Sequence, residues 1–406
     1  MRRRRALQLV GGSLTGILGG CMTADVGFET YRYEQDAPID DTAVSPWPTL
    51  AFDSRRRGYS PDAWMASWTD ADVFANAGQT NAIQPAFVDG TAYFGGKLPS
   101  YQGIGSSNGP SGIRSVDGDQ YGWSVQEKGA LATPTVVGNA IFVTSNGMSR
   151  ALDRRDGTLC WAYHKGRSNP TASPTVVDGT VYVVGQRVFA LAARTGEVEW
   201  TTEHLDFSPQ GTAVTDNAVF ATAGGDGGGA VYRFDPETGQ QDWRASTSSS
   251  IRVPPVLGER VYVLDADGRL RALRRSDGSE AWSHQFGGRS SALPAVAQGT
   301  VYAATTNGTT LKAFDELTGA VRWEFEFDGR RAMGPTVARD IVYLPITDDD
   351  GGRIDALQSE SGSLLISHDL PHSPASSLVI GEGVGLITAD PSRSSTLLYV
   401  LTQTET

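Results

Sequence analysis

The sequence predicts an all-β protein in which one four-stranded unit of about forty residues is repeated eight times around an axis. Three observations support this prediction: a strand-opening phrase recurs, a tryptophan closes most copies, and turn residues punctuate every copy. The chain has 406 residues, 48 of them glycine. Its apolar residues follow strand spacing rather than helix spacing. A repeat of this kind can absorb the whole chain in a single domain.

The strand-opening phrase occurs eight times. The third copy, SPTVVDGTVYVV from Ser173, places two apolar runs on either side of Asp-Gly, which is a tight hairpin signal. The other copies begin at residues 84, 133, 211, 253, 293, 334 and 376. Each opening phrase therefore predicts the first two strands of one unit.

The closing phrase supplies the other two strands. In ALAARTGEVEW (190–200) the glycine ends a type I turn at a left-handed position, and the tryptophan four residues later lies on the fourth strand. From Trp123 onwards, successive closings are 38, 39, 43, 39 and 41 residues apart. The closing residues are Trp68, Trp123, Trp161, Trp200, Trp243, Trp282 and Trp323, with Ile366 in the eighth place.

Four-stranded units of this length predict the blades of a β-propeller. In the third copy we expect strands at 173–177, 180–184, 187–192 and 197–201. The last opening phrase, at Ser376, leaves chain for only three strands. AWMASW (63–68) carries a closing tryptophan with no strands before it. We therefore expect eight four-stranded antiparallel blades, with the ring closed by an N-terminal strand at about 63–69 that completes the C-terminal blade.

The pattern A-x-D-x-x-[TD]-G-x-x-x-W resembles the repeat of the pyrroloquinoline-quinone-type (PQQ-like) propellers. The best matches are Ala151/Asp153/Gly157/Trp161 and Ala313/Asp315/Gly319/Trp323, and WPTLAFDSRRRGYSP (47–61) resembles the segment that precedes such propellers. The resemblance covers residues 47–406. It implies that the seven tryptophans dock neighbouring blades. The longer spacing from Gly118 to Trp123, and the lack of a ring at Ile366, imply looser docking of blades one and seven.

The first twenty residues predict a targeting signal, and they are set aside from the fold. Arg2–Arg5 form a positive region, and a 14-residue apolar stretch (7–20) is too short for a comfortable membrane span. Leu18-Gly19-Gly20-Cys21 resembles a lipobox, and Arg4-Arg5 resembles a twin-arginine export signal. We expect residues 1–20 to be removed, Cys21 to be lipidated, and residues 21–46 to form an acidic tether. An uncleaved anchor is the alternative.

Charge and composition limit the possible partners. The formal net charge is −12, and only four of the 34 basic residues are lysine. An acidic surface poor in lysine is typical of proteins in high salt, and it lacks the basic footprint that nucleic acid binding needs. Cys160 is the only cysteine besides Cys21, so no disulfide framework is expected. We interpret Cys160 as a small packed residue.

No catalytic motif is convincing. Gly105-Ser106-Ser107-Asn108-Gly109 matches G-x-S-x-G in a glycine-rich insertion, where no strand-to-helix elbow is expected. His368 and His372 are four residues apart, but Leu370-Pro371 excludes a shared helix. The resemblance would allow a quinoprotein dehydrogenase with PQQ and calcium. The chain lacks the adjacent cysteine pair and the insertions that such enzymes carry, so we expect no cofactor, no metal and no catalytic residues.

The eight repeat copies differ from one another mainly in loops that lie on one predicted face. The longer loops between second and third strands, at 96–114, 224–229 and 347–352, emerge on the same face as the blade-to-blade connections, where we place His164, His204, His368 and His372. Binding residues are usually carried on such loops. The candidate partner residues are Gly103, Asn108, Asp226, Asp348, Asp349 and Asp350.

The sequence thus favours an exported lipoprotein, held on the outer face of the cytoplasmic membrane, that acts as a non-catalytic scaffold for proteins. The chain is similar to the bacterial outer-membrane assembly propeller lipoproteins, and this resemblance implies protein partners in envelope or secreted protein assembly. Two alternatives stay open: an enzyme or cofactor binder that uses the central channel, and a ligand-binding sensor. Carboxylates facing the channel would favour the enzyme, and an apolar patch on the partner face would favour the scaffold.

Overall fold

The structure is a computed structural model. It describes residues 8–9, 30–32, 49–63, 68–78, 84–97, 111–117, 120–127, 131–145, 147–165, 172–286, 292–304, 309–349, 351–381, 383–392 and 395–403. Cys21, Gly103, Asn108 and Asp350 lie outside these residues, as do the G-x-S-x-G stretch and Gly118. All regular elements in the described part are strands.

Thirty-seven strands are described, most of them in four-stranded antiparallel sheets. Four strands precede the first complete blade: β1 (Gln8–Leu9), β2 (Thr30–Arg32), β3 (Tyr59–Ser60) and β4 (Trp68–Gly78). Blade 1 comprises β5 (Ala86–Val88), β6 (Thr91–Lys97), β7 (Ser111–Asp117) and β8 (Gln120–Glu127). Blade 2 comprises β9 (Thr135–Val137), β10 (Ala140–Ser145), β11 (Met148–Asp153) and β12 (Leu159–His164).

The next three blades follow the same order. Blade 3 comprises β13 (Thr175–Val177), β14 (Thr180–Val184), β15 (Val188–Ala192) and β16 (Val198–Thr201). Blade 4 comprises β17 (Ser208–Thr215), β18 (Ala218–Gly225), β19 (Gly228–Phe234) and β20 (Gln241–Thr247). Blade 5 comprises β21 (Val256–Leu257), β22 (Arg260–Leu264), β23 (Arg269–Arg274) and β24 (Glu280–Gln285).

The last three blades complete the ring. Blade 6 comprises β25 (Ala295–Ala297), β26 (Thr300–Ala304), β27 (Thr310–Asp315) and β28 (Val321–Glu326). Blade 7 comprises β29 (Arg331–Ala332), β30 (Thr336–Ala338), β31 (Ile341–Thr347), β32 (Gly352–Gln358) and β33 (Leu364–Leu370). Blade 8 takes β34 (Ser373–Pro374), β35 (Val379–Ile380), β36 (Val384–Ser392) and β37 (Ser395–Gln403) from the C-terminus.

The predicted eight-bladed, all-β propeller is confirmed, and so is its closure by an N-terminal strand. Strand β4 pairs antiparallel with β37 and becomes the outer strand of blade 8. The closing strand begins at Trp68 and ends at Gly78, which is later than the expected 63–69. The polar stretch after Trp68 has no clear strand pattern, and its strand conformation is set by pairing with β37.

Three short strands extend this plan. Strand β2 pairs with the outer edge of β12 in blade 2, and β1 pairs with β2. Strand β3 pairs in parallel with β30, the inner strand of blade 7. The outer edge of a blade and the inner edge of the ring therefore both accept an added strand.

The hydrophobic core lies between blades rather than inside one sheet. One cluster joins Tyr182 and Trp200 of blade 3 to Val219 and Tyr232 of blade 4, and equivalent clusters join other neighbouring pairs. Each blade therefore buries its two faces only when both neighbours are present.

Antiparallel order gives the ring two distinct faces. The turns between first and second strands, and between third and fourth strands, lie on one face, which we call the hairpin face. The loops between second and third strands lie with the blade-to-blade connections on the other, which we call the connection face. Within the described ranges, no helix is long and apolar enough to span a membrane.

Candidate functional site

Residues 49–60 lie across the axis of the ring. The backbone amides of Val214, Leu257, Val296 and Val337, from blades 4 to 7, each donate a 2.8 Å hydrogen bond to a carbonyl of this segment. The accepting carbonyls belong to Ser54, Arg55, Arg57 and Gly58. The four donors come from inner strands, close to the hairpin turns that end them. The segment therefore closes the axis toward the hairpin face.

The same segment reaches the other four blades. Thr49 Oγ1 lies 2.7 Å from Thr135 Oγ1 of blade 2, and the amide of Ala51 donates to Gln84 Oε1 at the start of blade 1. Phe52 packs against the apolar cluster shared by blades 8 and 1, and Arg56 contacts blades 3 and 4. We call residues 49–60 the axial segment, since they contact every blade.

Arg56 forms the centre of this arrangement. Its side chain is fully buried, with 0% exposure. The guanidinium donates to four acceptors on blades 3 and 4: Ser173 O, Pro174 O, Thr175 Oγ1 and Thr212 O, at 2.8 to 3.3 Å. It also donates to Thr49 Oγ1 and Leu50 O in its own segment. Burial lowers the pKa of Arg56 to about 10, against a smaller raising effect of the Asp53 carboxylate.

The neighbouring arginines point elsewhere. Arg57 is half-buried and forms an ion pair with Asp53 at 2.6 Å, and the Asp53 carboxylate also accepts the backbone amides of Arg55 and Arg57. Arg56 alone of the three is held by neutral oxygens from the surrounding ring. Arg56 therefore lies in the interior of the ring, whereas Arg55 and Arg57 are half-buried.

The backbone of the axial segment is strained. Ala51, Phe52 and Arg56 have φ values of 53°, 79° and 60°, in the left-handed region that disfavours residues with a Cβ. Such conformations cost of order 1 kcal/mol each and persist only where surrounding contacts hold them. Here the contacts come from all eight blades. The sequence indicated only a lead-in at 47–61, and the run Arg55-Arg56-Arg57 beside Gly58 was the one available signal of an axial site.

The repeated tryptophans contact the next blade in a constant way. In six of them, the indole N–H donates to a backbone carbonyl three residues before the turn glycine of the following blade, at 2.7 to 3.1 Å. These donors are Trp123, Trp161, Trp200, Trp243, Trp282 and Trp323, and the acceptors are Arg154, Ala193, Pro236, Arg275, Glu316 and Ser359.

The turn glycine of the next blade lies directly against each indole ring. A Cβ added at Gly157, Gly196 or Gly239 would lie 2.5 to 2.6 Å from ring carbons of the preceding blade's tryptophan. An aromatic ring on the second strand of the tryptophan's own blade lies 5.7 to 6.2 Å away, as measured between ring centroids. The glycine therefore serves two purposes, since it permits the turn and leaves room for the ring.

Two of these tryptophans are half-buried, Trp123 and Trp282, whereas Trp161 is only 1% exposed. Trp123 forms one wall of a cavity of about 720 Å³ between blades 1 and 2, together with Tyr93 and Arg154. Trp68 lies at the start of β4, but its side chain is outside the described part. Ile366 occupies the eighth position and packs partly buried in the cluster between blades 7 and 8.

The predicted partner residues that the structure describes are Asp226, Asp348 and Asp349, and they are not brought together. Asp226 is exposed in the turn between β18 and β19 of blade 4, while Asp348 and Asp349 lie three blades away in blade 7. Both blade 7 aspartates form ion pairs, Asp348 with Arg353 at 3.1 Å and Asp349 with Arg330. The described part of this acidic loop is therefore paired rather than open to a cation.

Two histidine placements differ from the prediction. His164 is the last residue of β12, and His368 lies inside β33 rather than in a blade-to-blade loop. The fourth strands of blades 2 and 7 extend further toward the connection face than the sequence pattern indicated. His204 and His372 do lie in connections, and His372 Nδ1 is hydrogen-bonded to Tyr399 OH.

A PQQ cofactor with Ca²⁺, which the resemblance leaves open, would need carboxylate and amide oxygens converging at the axis. Within the described ranges, no three His, Cys, Asp or Glu side chains group closely enough to hold a metal ion. The fully buried charged group of the axial segment is the Arg56 guanidinium, a cation that would repel Ca²⁺. The described residues of the axial segment thus offer no ligand set for Ca²⁺.

Comparison with known proteins identifies the family. The chain belongs to the family described as outer membrane protein assembly factor BamB, whose model matches residues 79–225 and 227–406. It is 30% identical over 197 residues to the BamB protein of Yersinia pestis, which covers 42% of this chain and 47% of the relative. It is 29% identical over 188 residues to a quinone alcohol dehydrogenase subunit of Gluconacetobacter polyoxogenes, covering 40% of this chain and 25% of the relative.

The chain is also similar to a protein kinase and to two solved propeller structures. The serine/threonine-protein kinase AfsK of Streptomyces griseus is 32% identical over 168 residues, covering 38% of this chain and 20% of the kinase. The chain thus spans half or less of the curated relatives it matches. BamB from Moraxella catarrhalis superposes with a TM-score of 0.60 at 14% identity, covering 83% of this chain and 99% of that one. A europium-containing methanol dehydrogenase superposes with a TM-score of 0.67 at 13% identity, covering 89% of this chain and 99% of that one. These likenesses establish the fold.

Proposed function

We propose that this protein is a non-catalytic, membrane-anchored scaffold outside the cytoplasm that binds other proteins through its connection face. The observation that carries the proposal is the axial segment: its strained backbone and the buried Arg56 guanidinium fill the part of the ring near the hairpin face. A rigid ring with a filled axis leaves binding to the loops at its surface.

The family supports the choice of a scaffold. Relatives in it are described as assembly factors for outer membrane proteins. We infer protein partners of the same general kind, in the assembly or maintenance of envelope or secreted proteins. Quinone-dependent alcohol dehydrogenases match the chain at similar identity, and a titration with their cofactor decides between the two functions.

The anchoring part of the proposal rests on the first 46 residues. We propose that residues 1–20, which include β1, are a cleaved export signal and that Cys21 carries the lipid. Residues 21–46, which include the strand β2 paired with blade 2, would then tether the propeller to the outer face of the cytoplasmic membrane. Replacement of Cys21 by serine should move the protein from the membrane to the soluble fraction. A Cys21→Ser protein that stays with the membrane would contradict lipid anchoring at this residue.

Site-specific photo-crosslinking tests the partner face. A photoreactive phenylalanine analogue is placed at Asp226 or Asp349 on the connection face, and at Asp178 or Asp216 on the hairpin face as matched controls. All four positions are exposed and lie in turns or loops. We expect adducts of one reproducible mass from the connection face only. Equal adducts from both faces, or none from either, would contradict the proposal.

A further inference from the structure

The acceptors around Arg56 form a ready-made site for one chemical group. Two backbone carbonyls, those of Ser173 and Pro174, lie 3.1 Å from one terminal nitrogen of the guanidinium, and Thr175 Oγ1 lies 2.8 Å from the same nitrogen. The carbonyl of Thr212 accepts from Nε at 3.3 Å. These acceptors belong to the inner strands of blades 3 and 4 and the residues just before them, and they are fixed by the propeller itself.

The acceptors around Arg56 are uncharged oxygens, so the buried guanidinium has no counter-ion among them. Burying a charge without a counter-ion is costly unless its hydrogen bonds are satisfied. The Asp53 carboxylate, whose charge raises the pKa of Arg56, is engaged by Arg57 at 2.6 Å. A planar fork with five N–H donors can satisfy acceptors that converge from several directions, whereas an ammonium presents only three donors from a single nitrogen.

A row of backbone donors lies beside this pocket. The amides of Val214, Leu257, Val296 and Val337 point to the axis and bind carbonyls of the axial segment. The segment forms a loop there, since the amide of Gly58 donates back to Ala51 O at 2.8 Å. Main-chain hydrogen bonds that give affinity, combined with a pocket that selects one side chain, are general elements of peptide recognition. The axial segment supplies both parts, its carbonyls to the amides and its arginine to the pocket.

We propose that the ring axis is an arginine-selective peptide-binding site, which this protein fills with its own residues 49–60. The site goes beyond the scaffold function, since it lies at the axis and not on the connection face. Its ligand class is a peptide loop that carries a guanidinium. The strained Ala51, Phe52 and Arg56 backbone shows that binding contacts, rather than local preference, hold the segment in place.

Chemical rescue tests the site in the full-length protein. Arg56→Ala removes the guanidinium and leaves its acceptors in place. Methylguanidinium at millimolar concentration should then raise the apparent Tm of Arg56→Ala by about 2 °C or more, in a saturable way, because it binds only the folded state. Methylammonium at the same concentration has the same charge without the fork and should give no such rise.

Two further variants keep the test decisive. Arg57→Ala removes a neighbouring arginine that is paired with Asp53, and methylguanidinium should leave its Tm unchanged. Arg56→Lys keeps the charge but loses the planar fork, so its Tm should fall well below that of the unsubstituted protein. If Arg56→Ala does not fold alone, its soluble yield on refolding with and without methylguanidinium replaces the Tm. The proposal is overturned if methylguanidinium and methylammonium act alike, or if Arg56→Lys is as stable as the unsubstituted protein.

Discussion

The indole nitrogen of Trp161 in blade 2 donates a 2.7 Å hydrogen bond to the backbone carbonyl of Ala193 in blade 3. The same contact recurs at five other blade boundaries, and in each case a glycine three residues after the acceptor lies against the ring. Because each blade is held by its neighbour's turn, we propose that the tryptophans dock the blades and that the ring is stabilised as a cycle.

The docking proposal predicts a large effect of removing one ring. Trp200→Ala deletes a buried indole and its hydrogen bond to Pro236, so we expect a loss of about 3–5 kcal/mol in the free energy of unfolding. Trp123→Ala should cost less, because Trp123 is half-buried beside a cavity. Urea unfolding of both variants measures the difference. An unchanged midpoint for Trp200→Ala would refute its docking role.

A pair of glycine substitutions separates backbone strain from ring contact. Gly196 and Gly90 have similar φ values, 70° and 78° respectively. A Cβ at Gly196 would lie 2.6 Å from the ring of Trp161, whereas a Cβ at Gly90 meets nothing within 4 Å. We expect Gly196→Ala to destabilise the protein by about 1–3 kcal/mol more than Gly90→Ala does, as overpacking would require. Equal losses in thermal unfolding would mean that the turn alone requires the glycine.

The burial of Lys165 predicts that the free energy of unfolding depends on pH. Its side chain is 1% exposed, its Nζ donates to Val184 O at 2.8 Å, and burial lowers its pKa from 10.5 to about 8. Below pH 8 the folded state bears the full cost of the buried charge, roughly 3 kcal/mol. Between pH 8 and 10.5 the folded state loses its proton before the unfolded state does, so this contribution to stability rises with pH.

Lys165→Met should therefore be more stable than the unsubstituted protein at pH 7, with the advantage shrinking between pH 8 and 10.5. Lys312→Met is the matched control, since Lys312 is paired with Glu324 at the surface. Urea midpoints measured at several pH values give both profiles. A constant difference between Lys165→Met and the unsubstituted protein across this range would show that Lys165 does not titrate there.

Blade 7 offers a contrast between an arginine that pairs with a buried carboxylate, Arg353, and an exposed arginine, Arg330. Arg353 contacts Asp355, which is only 2% exposed, at 3.1 Å and also donates to Asp328 O at 2.6 Å. Arg353→Ala leaves that carboxylate without its cation and should cost about 3–5 kcal/mol. Arg330→Ala removes an exposed partner of Asp349 and should cost no more than about 1 kcal/mol. Similar losses in the free energy of unfolding for Arg353→Ala and Arg330→Ala would contradict the stronger role of Arg353.

The blades could be predicted because their signals are local. Expected strands at 180–184 and 197–201 compare with Thr180–Val184 and Val198–Thr201 in the structure. Strand β4 was placed early because its extension to Gly78 depends on pairing with β37 at the other end of the chain. Propensity and periodicity report on neighbours in sequence, and ring closure joins residues that are far apart.

The axial segment shows the limit of sequence reasoning more clearly. Arg55, Arg56 and Arg57 are three consecutive arginines that the sequence does not distinguish. Only Arg56 enters the ring, because acceptors from blades 3 and 4 converge there. Topology could predict that Asp226, Asp348 and Asp349 lie in loops between second and third strands, but not which groups contact them. Asp348 and Asp349 are candidate partner residues from the sequence, and their pairing with Arg353 and Arg330 depends on tertiary contacts.

The most direct test of the account is a calorimetric titration of the protein with PQQ and Ca²⁺ in high salt. A non-catalytic scaffold with Arg56 at its axis predicts no binding heat, with the Arg56→Ala variant as a control for an axis freed of its cation. Saturable binding of PQQ at micromolar concentration would contradict the account and would assign the chain to the quinoproteins.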